Sequence, residues 1–455
     1  MPQRGQSTIR AMVAYEDAYV QPLIVSALKS LIPEDKLDLT TDMPASTEGS
    51  SFADAAPESS SNILQIVSYE SIDFEYAASH ARTCLINSYM IRKALIRKHY
   101  LSVTVDHLVA KNPESPLGKH FKRSEAFEVD YAEFLDDALV EAFDLRESMD
   151  HNAEIAQSSD GSDADEARKD WWILKPGMSD RGQGIRLFST MEELQAIFDQ
   201  WDEDQPDSDD EEYEGADGGA QDRDADAGEG EAGDYITTSH LRHFVAQPYI
   251  HPPLLLEADP RKFHIRTYVL ATGGLTVHVY KHMLALFAAK PYLPPWAHSA
   301  TDIDSFLTNT CLQEQRQRNS SGATTASGVA NSVRRFWDLP LAPAKLQDIF
   351  SQICSVTGEA FEAAATAMPI HFQALPNAFE VFGLDFMVDA SGTVWLLEAN
   401  AFPDFKQTGS DLEEIVAGFW KGVVRTAVLP FFGLDDGVAE DEDMVTVRAV
   451  DLGRR

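Results

Sequence analysis

The stretch from residue 379 to 401, FEVFGLDFMVDASGTVWLLEANA, carries acidic side chains inside two apolar segments that Ala-Ser-Gly joins. The short connection and apolar flanks predict a β-hairpin. With its turn centred near residues 390–391, Asp385 and Glu398 lie on one face within cross-strand reach, and Asn400 follows two residues on. Carboxylates in apolar strands need a proton or a cation, and Mg²⁺ binds few protein oxygens beside water and phosphate. The hairpin therefore predicts a Mg²⁺ site, against the alternative of partly exposed or hydrogen-bonded strand residues.

A second segment, KFHIRTYVLA, predicts a strand with a row of basic side chains. Alternation puts on one face Lys262, His264, Arg266 and Tyr268, and on the other Phe263, Ile265, Thr267 and Val269. A basic row on an inner strand needs anions, and nucleotide phosphates would satisfy Lys262 and Arg266, with Arg266 as a bidentate fork. His264 either contacts that ligand or packs in the core. Gly273-Gly274 predicts a tight turn into LTVHVYKHMLAL, a strand on which Lys281 faces either the site or solvent.

A third segment, WWILKPGMSDRGQGIRLFS, predicts an apolar strand ending at Lys175, a flexible loop over residues 177–184, and a second strand. Amides of such a loop can cover phosphates while the lysine reaches their oxygens. The alternative is a simple turn. The pattern is neither GxxxxGK[ST] nor GxGxxG before a helix, so it excludes P-loop and Rossmann nucleotide sites.

An acidic segment interrupts the chain, because residues 202–234 hold sixteen Asp or Glu and one Arg. It has too few apolar residues to form a core, so we predict a disordered insertion within a domain. Residues 41–61 and 316–332, rich in Ser, Ala and Gly, predict two smaller breaks. Near the N-terminus, IRAMVAY predicts a strand and YVQPLIVSALKSLI a helix, and residues 344–367 also have helical spacing.

Residues 83–100, TCLINSYMIRKALIRKHY, have the apolar spacing of a helix. The side chains predicted to face inward are Leu85, Ile86, Tyr89 and Met90. Cations cluster toward the end, where positive charge suits the helix dipole; they are Arg92, Lys93, Arg97 and Lys98. They form either a solvated helix end or a contact for an acidic partner.

The composition limits the partners that this chain of 455 residues can have. Its formal charge of −37 argues against a broad nucleic-acid or anionic-membrane surface, since such surfaces need clustered Lys and Arg. Cys84, Cys311 and Cys354 lie far apart, which indicates neither a disulfide framework nor a thiolate zinc site. No secretory signal and no run near the roughly 20 apolar residues of a membrane span are evident, so we expect a cytoplasmic or nuclear protein without a membrane segment.

The order of these motifs resembles the tubulin-tyrosine-ligase-like family. The matching elements are the strand, lysine and glycine loop, then QPYI, RKFHIRTYVL, FLTNT, GLDFMVD and VWLLEANAFP. The resemblance implies an α/β ATP-grasp fold that holds ATP between antiparallel sheets. It implies an N-terminal α/β lobe at 1–82, a central lobe at 83–242 with the acidic insertion at 202–234, a C-terminal lobe at 243–435 and a tail at 436–455.

The resemblance also implies roles for individual residues. Phosphate contacts would come from Lys175, Gly182, Gln183 and Gly184, and the frame for adenine from the backbone of Gln247, Pro248, Tyr249 and Ile250. Lys262, His264 and Asp385 would lie along the nucleotide, and Mg²⁺ would be held by Asp385, Glu398 and Asn400. Arg266 would serve the transferred phosphoryl group, Lys281 stands at the first arginine of the family's YREGxxR, and Asn309 would shape the acceptor side.

The activity implied is ATP-dependent ligation of an amino acid to a carboxylate on a protein acceptor such as tubulin, through an acyl phosphate. Two departures bear on it: His264 replaces the aspartate of RKFDIR, and Leu286 replaces the second arginine of YREGxxR. This variant pattern looks like that of fungal members of the family. The alternative is a nucleotide-binding pseudoenzyme or scaffold, for example in cytoplasmic RNA granules. A small-molecule ATP-grasp ligase fits the Mg²⁺ site but not the motif order.

Overall fold

Strands grouped in three sheets, with helices packed against them, make up the part of the chain that the computed structural model describes: residues 8–15, 17–41, 62–158, 162–177, 184–203, 242–297, 332–408, 412–435 and 441–453. The strands are β1 (Ile9–Ala14), β2 (Leu37–Thr40), β3 (Asn62–Val67), β4 (Cys84–Ile86), β5 (Glu125–Glu128), β6 (Trp172–Pro176), β7 (Arg186–Phe188), β8 (His243–Pro248), β9 (Arg261–Thr272), β10 (Thr276–Tyr280), β11 (Leu284–Pro291), β12 (Val333–Arg335), β13 (Phe379–Val388), β14 (Val394–Ala401) and β15 (Met444–Ala449).

The α-helices are α1 (Gln21–Leu31), α2 (Phe74–Ser79), α3 (Lys93–Ile96), α4 (Lys98–Lys111), α5 (Leu117–His120), α6 (Leu135–Ala138), α7 (Phe143–Ser158), α8 (Asp163–Glu166), α9 (Met191–Glu203), α10 (Pro343–Ala367), α11 (Glu413–Val423) and α12 (Leu429–Phe432). A π-helical turn, Val424–Val428, joins α11 to α12. Short 3₁₀ turns lie at Glu34–Lys36, Tyr69–Ser71, Ala132–Phe134, Pro295–Ala297, Phe336–Asp338 and Lys406–Thr408.

The chain divides into two compact units, a larger one of residues 1–123 and 250–455 and a smaller one of residues 124–249. This division differs from the lobe boundaries predicted from the motifs, most clearly at residues 242–243. Strand β8 follows that predicted boundary, yet it lies between β5 and β6 in the sheet of the smaller unit. A strand paired on both edges belongs to that sheet, so the smaller unit extends to residue 249.

The N-terminal part of the larger unit is a parallel sheet with the order β2-β1-β3-β4. Its first strand and helix α1 confirm the sequence prediction. The helix predicted from residue 83 is wrong in its first half, because Cys84–Ile86 forms strand β4 and the helices begin at Lys93 and Lys98. A strand buried on both faces has a continuous apolar run, and in short runs this cannot be told from a buried helix by spacing. Among the residues predicted inward, Met90 is exposed instead.

Arg92, predicted at a solvated helix end or a partner contact, is buried and forms an ion pair with Glu380 of β13, Nε to Oε1 at 2.8 Å. Its guanidinium also lies 3.8 Å from the centre of the Tyr69 ring. Burial raises the pKa of Glu380 to about 7, although Arg92 and the Tyr89 amide lower it. The pair attaches the segment before α3 to the large sheet, and its partners lie far apart in sequence.

Strand β9 is the centre of the large antiparallel sheet. Strand β13 pairs along one edge of β9, and β10 and β11 pair in succession along the other. The turn at Gly273–Gly274 is confirmed, with Gly273 at a φ of 56°. The strand predicted over LTVHVYKHMLAL is interrupted at residues 281–283, where the register with β9 shifts by two residues. The hairpin of β13 and β14 pairs as predicted.

The large sheet is covered on both faces by apolar side chains. Helix α10 confirms the helix predicted at 344–367, and it packs with Phe263, Ile265 and Val269 on one face of β9. On the other face, Tyr268 and Leu270 pack with residues of α11. Few side chains of the buried sheet are polar, and a group of these forms the candidate site.

The continuous helical stretch Glu413–Phe432 is long and apolar enough, by length and composition alone, to cross a membrane, contrary to the expectation from the sequence. More than half of its most apolar window is buried within the protein. Phe419, Trp420 and Val423 belong to the core beside β9. The core helix of a globular protein passes the same test, because burial in protein and burial in lipid select the same side chains.

The predicted tail at 436–455 contains strand β15, which pairs with β10 and extends the large sheet. Arg448 forms ion pairs with Glu359 and Glu362 of α10. Gly358 permits this approach, because a Cβ there would lie 3.2 Å from the carbonyl oxygen of Val447. Strand β15 is short and its residues are mostly half-buried or exposed, so its apolar pattern is too short to predict a strand.

In the smaller unit, the antiparallel sheet β5-β8-β6-β7 packs on an aromatic core. Helix α9 continues through Glu203, so the first two residues of the predicted insertion are helical, and Asp202 accepts a hydrogen bond from the Ala132 amide. Residues 204–241, which include the rest of the acidic insertion predicted at 202–234, lie outside the described residues. So do residues 42–61 and 298–331, on which the two smaller predicted breaks fall. Cys84 and Cys354 are free thiols.

Candidate active site

Three basic side chains of β9 form one buried row, as the alternation predicts. Lys262, His264 and Arg266 are 5%, 6% and 6% exposed and share the face of Tyr268. Strand geometry forces this arrangement, since every second side chain points to the same face. Three polar groups buried together in an apolar sheet need charged or hydrogen-bonding partners.

Asp385 of β13 supplies the main partner. It lies opposite Arg266 in the register, and the guanidinium donates twice: Nε to Oδ1 at 2.5 Å and Nη2 to Oδ2 at 3.0 Å. Burial alone would lower the pKa of Arg266, but the charge and hydrogen bonds of Asp385 raise it above its usual range. Arg266 therefore remains a cation with a fixed orientation.

His264 lies beside this pair, with Nε2 3.6 Å from Oδ1 of Asp385. Burial lowers its pKa, and Arg266 and Lys262 act in the same direction against Asp385 and Glu398. The imidazole is therefore neutral at pH 7. A neutral ring stands at the centre of a group of charges, at the position where the family pattern has a carboxylate.

The hairpin of β13 and β14 brings the three predicted metal ligands together. Glu398 lies opposite Asp385, and Asn400 opposite Gly383. Asn400 donates from Nδ2 to Oε1 of Glu398 at 3.2 Å. Gly383 is required here, because a Cβ would lie 2.7 Å from Cβ of Pro403. The predicted pairing geometry is thus confirmed.

Lys98 of α4 joins the site, with Nζ 3.4 Å from Oε2 of Glu398. The sequence pattern predicts for Lys98 only a solvated helix end or a contact with an acidic partner. No local pattern could have indicated this ion pair, because 300 residues separate Lys98 from Glu398. Tertiary folding alone brings them together.

The chemistry of these groups fits Mg²⁺, since Asp385, Glu398 and Asn400 offer only oxygen ligands on one face and a hard cation takes its remaining ligands from water and phosphate. In the described ranges no group of three or more His, Cys, Asp or Glu side chains forms a closed metal site. Arg266 and Lys98 balance the two carboxylates in the structure. An open site of few ligands is what Mg²⁺ bound beside phosphates needs.

In the smaller unit, Lys175 of β6 and Gln247 of β8 are joined by a hydrogen bond of 2.7 Å from Nζ to Oε1. Gln247 donates in turn from Nε2 to Oγ of Ser124 at 2.9 Å. The family resemblance implies a role only for the backbone of residues 247–250, and no sequence pattern indicates that the Gln247 side chain joins Lys175 to Ser124. Tyr249 donates its amide to the carbonyl of Trp171.

Several predicted site residues are not brought into these clusters. Gly182, Gln183 and Asn309 lie outside the described residues, whereas Gly184 is described and has a φ of 72°. Pro248 ends strand β8, and Ile250 is the first residue of the second segment of the larger unit. Lys281 is exposed in the interruption between β10 and β11, where its amide donates to Asp443 and its carbonyl accepts from Trp337.

Leu286 is fully buried and lies opposite His264 in the register of β11 and β9. It belongs to the apolar cluster that contains Leu284 and Tyr268. Where the family pattern has a second arginine, the fold therefore places an apolar side chain against the basic row. A cationic contact at this position is lost.

Several known proteins are similar to this chain over most of its length. A sequence model described as the tubulin-tyrosine ligase family matches residues 86–435. A probable tubulin–tyrosine ligase of Schizosaccharomyces pombe is 42% identical over 434 residues, which cover 93% of this chain and 92% of that protein. The probable tubulin–tyrosine ligase PBY1 of Saccharomyces cerevisiae is 40% identical over 443 residues, 95% of this chain but 54% of that protein, so this chain spans about half of its length.

Among solved structures, the C-terminal domain of K. lactis Pby1 is similar, with a TM-score of 0.65 and 34% identity over 98% of this chain and 99% of that one. That protein is described as an ATP-grasp enzyme that interacts with the mRNA decapping enzyme Dcp2.

Proposed function

Since the chain belongs to the tubulin-tyrosine ligase family and has the ATP-grasp fold, we propose that it binds MgATP and joins an amino acid to a carboxylate of a protein acceptor. Tubulin is the acceptor that the names of its relatives suggest. A cytoplasmic location is part of the same proposal.

The observation that carries the proposal is the cluster of charged side chains from β9, β13, β14 and α4. Lys262, Arg266 and Lys98 supply three positive charges, whereas Asp385 and Glu398 supply two negative ones. The neutral His264 adds none. A partly buried site with an excess of cations favours an anionic ligand, and the phosphates of a nucleotide have the right chemistry.

Each group has a specific task in this proposal. Lys262 binds phosphate oxygens, and Arg266, held in place by Asp385, orients the transferred phosphoryl group. Asp385, Glu398 and Asn400 would hold Mg²⁺, which when bound neutralises phosphate charge. Orientation and charge neutralisation supply most of the rate in phosphoryl transfer, so the fold needs no covalent nucleophile.

The proposed reaction has two steps. A carboxylate oxygen of the acceptor attacks the γ-phosphorus of ATP, the bond to the ADP oxygen breaks, and an acyl phosphate forms. The amine of the amino acid then attacks the acyl carbon, phosphate leaves, and the nitrogen loses a proton to give the amide. Arg266 can stabilise negative charge in both steps, because its pKa keeps it charged.

One observation favours a second candidate function, a nucleotide-binding scaffold without ligase activity. Leu286 is 0% exposed and offers no charge to a reacting carboxylate or phosphate. The solved relative, Pby1 of K. lactis, interacts with a decapping enzyme. A scaffold in cytoplasmic RNA granules would keep nucleotide binding and lose turnover.

Ligation can be measured directly by incubating the purified chain with MgATP, tubulin and labelled tyrosine, glutamate or glycine. We expect incorporation into tubulin, and we expect Glu398→Gln to lower it by about 100-fold or more, because charge stabilisation of the transferred group is lost. Glu192→Gln, at an exposed position of α9, is the matched control and should incorporate as the wild type does.

Thermal unfolding with and without MgATP separates the two candidates. A ligand that binds only the native state raises the melting temperature. A rise without incorporation into any acceptor favours the scaffold, whereas no rise and no incorporation contradicts nucleotide binding itself.

A further inference from the structure

A chain of hydrogen bonds crosses the sheet of the smaller unit. Ser124 immediately precedes β5, Gln247 lies on the central strand β8, and Lys175 lies on β6. The bonds run from Lys175 Nζ to Gln247 Oε1 at 2.7 Å and from Gln247 Nε2 to Ser124 Oγ at 2.9 Å. Ser124 and Gln247 are each 4% exposed. The three side chains therefore form a relay inside one sheet.

Strand pairing fixes the positions of these side chains. Strand β8 pairs with β5 through Ala246 and Glu125, so Gln247 and Ser124 are the next positions along that register. On the other edge, Gln247 lies opposite Ile173, two residues from Lys175. Side chains two residues apart share a face, so the amide of Gln247 lies diagonally within reach of the ammonium.

The chemistry of the amide gives the relay a direction. A lysine ammonium can only donate, so the amide oxygen of Gln247 must face Lys175. The amide nitrogen then faces the opposite way and needs an acceptor, which is the hydroxyl oxygen of Ser124. In the reversed orientation, the amide NH₂ would point its hydrogens at the ammonium, and neither of these two donors would find an acceptor in the other, which is costly for buried groups.

We propose that Ser124 is a positioning residue for the nucleotide: through the amide of Gln247 it fixes the place at which Lys175 meets the phosphates. This inference rests on the proposed function, because it takes Lys175 as a phosphate contact. In this proposal Ser124 acts through Gln247 and not by direct contact with the nucleotide. It keeps the amide oxygen of Gln247 directed at the ammonium of Lys175. The flexible lysine side chain therefore loses less conformational freedom when the nucleotide binds.

The test measures the affinity of the full chain for MgATP by isothermal titration calorimetry in four proteins: the wild type, Ser124→Ala, Lys175→Met and the double variant. We expect Ser124→Ala to weaken binding by roughly threefold to tenfold, the range of one hydrogen bond. In the Lys175→Met background, Ser124→Ala should not weaken MgATP binding further, because Gln247 then has no lysine ammonium to position. Ser124→Thr keeps a hydroxyl and should bind within about twofold of the wild type.

Other outcomes would overturn the inference in different ways. Equal weakening by Ser124→Ala in both backgrounds would mean that Ser124 acts on the fold and not through Lys175. Wild-type affinity in Ser124→Ala, with a loss in Lys175→Met, would mean that the amide needs no orienting partner. Wild-type affinity in Lys175→Met would mean that Lys175 makes no significant contact with the phosphates. No binding of MgATP by the wild type would reject the proposed function, and the inference with it.

Discussion

At the scale of single residues, the contact between Arg266 and Asp385 dominates the candidate site. Both side chains are 7% exposed and meet in two charge-assisted hydrogen bonds. A buried pair adds little stability over apolar residues of the same shape, but removal of one partner leaves the other charge buried and unpaired. The pair is therefore costly to break even if it contributes little when intact.

We expect Asp385→Ala to lower the free energy of unfolding by about 3–5 kcal/mol, as for other broken buried pairs. The measurement is urea denaturation of the full chain at pH 7. Asp130→Ala is the matched control, because Asp130 forms an exposed ion pair with Arg242 and its loss should cost less than about 1 kcal/mol. Equal small losses in both variants would contradict the description of the Asp385 pair as buried and unsolvated.

The positions of the polar residues on strands could be predicted from the sequence, and the partners of Arg92 and Lys98 could not. Side chains alternate with a period of two, so the row on β9 and the opposition of Asp385 and Glu398 follow once the strands and the turn are recognised. Lys98 and Arg92 lie in a segment whose local spacing says nothing of the distant carboxylates they meet. Residue pairs so far apart in sequence are decided by topology.

At the scale of elements, strand β15 pairs with β10 at the edge of the large sheet, and one of its side chains contacts a buried histidine of β10. His278 lies opposite Thr446, and its Nδ1 is 3.0 Å from the Thr446 hydroxyl oxygen. Burial lowers the pKa of His278 to about 4. The imidazole that meets the Thr446 hydroxyl is therefore neutral in the folded protein at pH 7.

This histidine predicts a loss of stability in acid. Its folded-state pKa of about 4 lies below the ordinary 6.5, so the unfolded chain takes up the proton first as the pH falls. Its contribution to stability is complete above pH 6.5 and is lost as the pH falls from 6.5 toward 4. At pH 5 the loss amounts to about 2 kcal/mol relative to pH 7.5.

His278→Gln should remove this loss, and the difference between the two proteins isolates it. Urea denaturation of wild type and variant at pH 7.5 and pH 5.0 is the measurement. Glu380, whose pKa is raised to about 7, acts in the opposite direction in both proteins and cancels in the comparison. Identical pH dependence of the two proteins would contradict a buried neutral His278.

Elements with a clear period were predicted correctly, and short or half-buried ones were not. The spacing of α10 and the alternation of β9 extend over many residues, so each pattern has one interpretation. Strand β4 has three residues and β15 has alternating half-buried ones, so neither shows a period that excludes a helix or a tail. The family and the ATP-grasp fold, which the order of motifs implied, are confirmed.

At the scale of the whole molecule, the formal charge of −37 acts on both compact units. Like charges repel in the folded state more than in an expanded chain, so the excess of Asp and Glu destabilises compact structure. Salt screens this repulsion. The ion pairs described above are short and partly buried, and salt weakens them less.

We therefore expect the melting temperature to rise by a few degrees between about 20 mM and 300 mM NaCl, as the Debye length falls from roughly 20 Å to 6 Å. Differential scanning fluorimetry at pH 7.5 measures this. Replacing the fourteen Asp and Glu of residues 204–234 by Asn and Gln should reduce the rise. A melting temperature that falls with salt would show that ion pairs outweigh the net repulsion.

The division of the larger unit into two segments of chain has a consequence for synthesis. All residues of the smaller unit have been made once residue 249 is added, but the large sheet lacks β9 to β15 at that point. At about 5–20 residues per second, a further 10–40 s or so pass before residue 449 completes β15. During that time the N-terminal sheet has all four of its strands but lacks the residues of β9 and later elements that share its apolar core. Apolar side chains of the N-terminal sheet that share a core with β9 and later elements therefore stay without those partners until the second segment is made.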